Sequence, residues 1–163
     1  MANDTCFDTS APAIAMADFD ALEQALGRPL PEAFKQHYLR YNGGAPSDTQ
    51  VPGDSVWEPT EVAMFNSIKF PLPGQGASSE MLHHYQAMVA KQLIPDVVLP
   101  FAWDPGGNLF VLDLRTASVA YYPTDMFDPA LDAAGNFAKA QRTVATSFEQ
   151  FLHNLEPNPD ANW

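Results

Sequence analysis

Several sets of side chains in this 163-residue sequence have the types and spacing to do chemistry, and each has a plainer reading beside it. Glu80, His83 and His84 are metal-binding types. Neighbours on a helix point about 100° apart, so the two histidines cannot face one ion, and only Glu80 with His84, at i and i+4, could share one. Two ligands do not make a zinc site, and an exposed Glu–His pair is the better account. Asp125, Asp128 and Asp132 resemble the start of a calcium loop. They lack its central Gly and terminal Glu, and Pro129 interrupts them, which leaves solvated loop acids. Ser147 stands where a helix needs a cap, and Cys6 lies in the N-terminal arm, so neither has the supporting base of a nucleophile. Gly106-Gly107 comes with neither a Walker motif nor GxGxxG and reads as a turn. The expectation is a non-enzyme with no cofactor and no metal.

Recognition has firmer support. Asp54, Glu58 and Glu61 surround Trp57 in a proline-rich segment, and no Lys or Arg falls between Tyr41 and Ile68. That is the pattern of an aromatic anchor ringed by negative charge; the competing reading is that Trp57 packs inward among ordinary loop charges. Asp104 beside Trp103 poses the same question, although the clean alternation of its strand favours burial of Trp103. Asp54, Trp57, Glu58, Glu61 and Asp104 are the candidate partner-binding residues. Twenty acids against eight bases give a net charge of −12 and a pI near 4.4. Direct contact with nucleic acid or anionic lipid is unfavourable, and basic proteins are the natural partners. The charge is uneven: residues 1–27 carry −5 and 41–68 carry −4, whereas 28–40 carry +2. Acids concentrate in the arm and loops.

The elements that must position these residues follow from local signals. A first helix is expected from Asp18 through Phe19, Leu22 and Leu26 to Gly27. A second has Pro31 at its first position and Phe34, His37, Tyr38 and Tyr41 on one face, with Asn42-Gly43-Gly44 stopping it. Prolines and glycines from Ala45 to Gly76 leave room for one strand, Val62 to Asn66. Ser78 or Ser79 caps a third and longest helix carrying Leu82, Tyr85, Val89 and Leu93. Leu99, Phe101 and Trp103 alternate, Asp104 to Asn108 turns, and the apolar run Leu109 to Leu114 returns as a strand covered on both faces. Val119 to Tyr122 extends the meander, and Pro100 implies a bulge or an edge. Ser147 and Gln150 form a capping box for a last helix with Phe148, Phe151, Leu152 and Leu155.

Phe, Leu, Ile and Val supply 37 of the residues, enough for one core without disulfides. The reading is therefore α+β: a single domain with a mostly antiparallel sheet, a meander near 97–122, packed by about four helices over 18–156, with a flexible arm over 1–17 and a tail over 157–163. One cysteine excludes an internal disulfide and fits a reducing compartment. Asp4 and Asp8 precede the small apolar residues of the arm and no Lys or Arg opens it, so a cytoplasmic protein is expected rather than a secreted one. No run of eighteen apolar residues is available to cross a membrane.

Leu30-Pro31-Glu32-Ala33-Phe34 leading to Tyr41-Asn42-Gly43-Gly44, then Leu93-Ile94-Pro95, Pro100-Phe101-Ala102, Asp104, Gly107-Asn108, Leu112-Asp113-Leu114, Val119 to Tyr122 and Ser147 to Leu152, together resemble the SUKH superfamily, the Smi/Knr-type domain. The resemblance covers roughly residues 18–156. It implies an α+β domain without enzymatic activity. Bacterial members are mostly immunity proteins that bind a cognate toxin, often a nuclease or nucleic-acid deaminase; fungal members regulate cell-wall synthesis. The expectation is thus an immunity protein occluding a cognate, basic toxin, with a regulatory adaptor as the alternative. The chain departs from the family pattern after the third strand, where Thr124 to Gln141 is longer than the usual short connection and Asp125 stands where a His or Asp is common.

Overall fold

A computed structural model describes residues 5–124 and 128–158. Its centre is a five-stranded antiparallel sheet whose strands lie in chain order: β5 (Met64–Phe65), β6 (Val98–Trp103), β7 (Leu109–Asp113), β8 (Val119–Tyr122) and β9 (Arg142–Ala145). β7 is central and buried at every position, as an unbroken apolar run requires. Of the two explanations for Pro100, the bulge holds: the register shifts between Pro100 and Ala102, and β6 is flanked on both sides. Two short pairs precede the sheet, β1 (Phe7–Asp8) with β2 (Ala45–Pro46), and β3 (Gln50–Val51) with β4 (Thr60–Glu61).

Five α-helices pack around it: α1 (Phe19–Leu26), α2 (Glu32–Arg40), α3 (Met81–Ala90), α4 (Ala133–Ala140) and α5 (Phe148–Asn154). α3 is the longest, as expected. Gly27 ends α1 at φ 68°, the left-handed conformation that favours glycine. α2 and α5 meet over the sheet through aromatic rings, with Phe34 4.9 Å from Phe148, Phe101 5.4 Å from Phe151, and Phe110 5.5 Å from Phe151. Such edge-on and tilted pairs add about 0.5–1.5 kcal/mol each beyond the area they bury. Ser147 accepts from Gln150 N, and the Gln150 side chain reaches back to Thr146 N, which starts α5 where the sequence pattern placed it.

Several local expectations need correction. Asp18 does not cap α1: its carboxylate accepts from Ala15 N and pairs with Lys69, holding a 3-10 turn at Met16–Asp18. α3 is capped by Glu80, which accepts from Leu82 N and His83 N, while Ser79 Oγ is used by Leu72 N. Leu93 lies beyond the end of α3. The glycines after Asn42 do not stop α2, which ends at Arg40 with Tyr41 already extended. They allow close approach instead, because a Cβ on Gly43 would stand 2.6 Å from Asn66 O and one on Gly44 would strike Asp8 O.

The arm is not loose over its described part. From Thr5 onward it is docked by β1, by Ala11 N to Asn42 O, and by the buried Asn42 amide, which donates to both Pro12 O and Ile68 O. Residues 159–163 of the expected tail lie outside the described residues. The described residues form five α-helices where about four were expected, and α4 with β9 occupies the long stretch after β8. Asp132 caps α4 through Gly135 N, and Asn136 binds Asp128 at both its backbone N–H and C=O. The loop acids Asp128 and Asp132 thus serve local structure; Asp125 lies outside the described residues.

Candidate functional site

The loop between β3 and β4 is built by Asp54. Its Oδ1 accepts from Val56 N and Trp57 N, both at 2.8 Å, and its own N–H donates to Trp57 O at 2.9 Å. These bonds close a turn whose apex points outward. They also hold the Asp54 carboxyl below the usual range, the backbone bonds acting first and the Arg142 charge last among the lowering causes. Gly53 is needed beneath it, because a Cβ there would collide with Trp57 O. Val56 is 77% exposed and Trp57 50%, the two most exposed large apolar side chains among the described residues. Trp57 therefore faces solvent along half its surface rather than packing fully inward.

The ring of acids is altered by a residue the sequence placed far away. Arg142, the first residue of β9, sets its guanidinium 5.2 Å from the centre of the Trp57 ring, a cation–π distance. The absence of bases between Tyr41 and Ile68 was a local truth only. Asp54 and Glu58 are exposed, whereas Glu61 lies half-buried on β4 with Oε1 accepting from Thr49 Oγ1. The surface combines an aromatic side chain, the exposed carboxylates of Asp54 and Glu58 and one guanidinium, which is close enough to Asp54 to lower its pKa. Beside it, a cleft of about 230 Å³ runs between Pro52–Asp54 and Arg142–Val144, floored by Phe151.

Asp104 belongs elsewhere. It is buried, accepts from Gly106 N, Asn108 N and Asn108 Nδ2, and takes the Tyr121 hydroxyl. It builds the β6–β7 turn and leaves the set of exposed candidates. Trp103 is half-buried against His84, whose Nδ1 lies 3.1 Å from the Asn66 amide. Burial lowers the His84 pKa. His84 and Glu80 do not face each other as a pair, since Glu80 is spent on the helix cap. Among the described residues no group of three His, Cys, Asp or Glu could hold a metal ion, and no helix is long and apolar enough to cross a membrane.

His37 was read only as part of an apolar face, and it is the most displaced histidine. Phe7, Phe65 and Phe148 surround it at 4.9 to 5.8 Å, its Nε2 has no hydrogen-bond partner among the described residues, and burial, then the Arg40 charge, lowers its pKa to about 4. Those three rings come from three other elements, β1, β5 and α5, so no local pattern reveals the site.

No curated protein matches this chain. The model of the SMI1/KNR4 family (SUKH-1), by contrast, matches residues 14–154, nearly the whole domain from the docked arm to the end of α5. That span takes in the buried Asn42, the Asp54 loop, the Asp104 turn and β9 alike, and the chain belongs to the SMI1/KNR4 family (SUKH-1).

Proposed function

We propose that this chain is a cytoplasmic protein-binding domain with no catalytic activity of its own, an immunity protein that neutralises a cognate bacterial toxin by occluding it. The observation that carries the reading is the half-exposed Trp57, propped outward by Asp54 at the apex of a braced turn. An exposed indole on a turn braced through its backbone is what a binding anchor looks like. Family membership supports a binding role. A toxin that acts on nucleic acid carries Lys and Arg where phosphates bind. Carboxylates at Asp54 and Glu58, with Glu61 behind them, face such a surface favourably and exclude its substrate, and a net charge of −12 speeds encounter.

The test is co-expression with the toxin domain encoded beside this gene. Restored growth is the expected result. Replacing Asp54, Glu58 and Glu61 together by Asn and Gln should slow association several-fold and flatten its dependence on salt. An unchanged rate contradicts the acidic-loop mechanism, and binding without protection favours a regulatory adaptor.

A further inference from the structure

Beside the docked arm lies a groove that takes no residue from the Trp57 turn. Its volume is about 300 Å³, and it is lined by Thr5 and Phe7 of the arm, by His37, Arg40 and Tyr41 at the end of α2, and by Leu152 of α5. Three separate stretches of chain thus build it. Phe7, Tyr41 and Leu152 are half-buried and give it apolar walls, with the Phe7 and Tyr41 rings 5.2 Å apart. No acid stands among its lining residues.

Arg40 supplies the charge of this groove, and its donors are uncommitted. Lys35, Lys69, Arg115 and Lys139 each hold a carboxylate at 3.0 to 3.9 Å, whereas the exposed Arg40 makes neither an ion pair nor a side-chain hydrogen bond among the described residues. In a chain with twenty acids and eight bases, a guanidinium left without a carboxylate beside an apolar groove is a departure. Its carbon lies 5.1 Å from the centre of the Tyr41 ring. Stacking occupies one face of a guanidinium and leaves its in-plane N–H groups available, a fork that matches a carboxylate through two bonds. The His37 ring in the same wall registers this charge: after burial, Arg40 is what lowers its pKa, and no carboxylate among the described residues counteracts it.

We infer that the groove binds a small carboxylic acid with an aromatic or branched apolar body: the carboxylate accepts from the Arg40 fork, and the body packs among Phe7, Tyr41 and Leu152. The volume lies at the small end of ligand pockets, about 300–1,000 Å³, and suits a free acid of modest size. The site is a second one, separate from the Trp57 surface, and the immunity reading neither supports it nor depends on it.

Titration of the full chain with phenylacetate, indole-3-acetate and 4-methylpentanoate tests it, followed by NMR of the Arg40 side chain and of the amides of residues 5–8, 37–41 and 152. At least one acid should bind saturably, at about 1 mM or tighter, and shift these signals together. The primary amide of that acid, which lacks the charge, and acetate, which lacks the apolar body, should each bind at least tenfold more weakly. Arg40→Gln should weaken binding at least tenfold at an unchanged melting temperature. Arg40→Lys, which keeps the charge and loses the planar fork, should weaken it at least threefold. The inference is overturned if no acid saturates, if the amide or acetate binds as well as the acid, if the shifts fall on other elements, or if Arg40→Gln binds normally. Binding that appears only after residues 159–163 are deleted would assign the groove to the chain's own C-terminal segment and overturn it as well. So would a stable dimer in sedimentation that Arg40→Gln converts to monomer, which would give the groove to a second copy.

Discussion

Two turns in this protein use the same local device to opposite ends. Asp54 Oδ1 accepts from the N–H groups two and three residues ahead, and Asp104 Oδ1 accepts from those two and four ahead, all at 2.8 to 2.9 Å. Each braces a turn next to a tryptophan. Around Asp104 the fold closes: Oδ2 takes the Asn108 amide and the Tyr121 hydroxyl, and the residue is buried. Around Asp54 it does not, and Val56 and Trp57 are held at the surface. Hydrogen-bond chemistry within the turn is therefore a poor guide to role. What differs between the two turns is how far later strands cover them: Tyr121 of β8 closes over Asp104, whereas Arg142 of β9 reaches Trp57 and leaves half of it exposed.

The comparison is most directly broken at its buried member. Asp104→Ala strips the acceptor from two backbone amides and two side-chain donors, and should cost about 3 kcal/mol in urea unfolding. Asp54→Ala should leave the melting temperature essentially unchanged; comparable losses for the two would remove the distinction.

The contrast between sealed and open polar groups extends to His37. Its pKa is depressed from 6.5 to about 4 in the fold, so the unfolded chain takes up its proton first as the pH falls. The stability present above 6.5 is lost progressively towards 4, on the order of 3 kcal/mol in all. His37→Phe should remove that component of the pH dependence, read as unfolding midpoints across this range. A variant that tracks the native chain would show that the ring is not held neutral by burial.

Tyr121→Phe deletes only the outer lid of the Asp104 turn and should cost about 1 kcal/mol. A cost as large as that of Asp104→Ala would mean that the hydroxyl, rather than the turn amides, carries the site.

Sequence legibility follows the same division. The β6–β7 hairpin, the central burial of β7, the aromatic face of α2 and the Ser147 cap are all signalled by residue types within a few positions, and they could be read directly. α4 and β9 could not: Ala133–Ala140 has a single large apolar residue, Phe137, and a glycine inside it, and Arg142–Ala145 is four residues long with two β-branched side chains. The acids around Trp57 were legible as types, but the arrival of Arg142 over the indole depends on β9 joining β8, a pairing between distant segments. The docked arm was missed for a similar reason, since Asn42 holds it from the far end of α2.

The central claim is that the exposed turn, not the sealed one, meets the partner. The most direct measurement is the dissociation constant of the toxin domain encoded beside this gene for the native chain and for Trp57→Ala, at matched melting temperatures. Trp57→Ala should weaken binding at least tenfold, the scale of a tryptophan hot spot worth about 2 kcal/mol. Equal affinities for the two chains would contradict it.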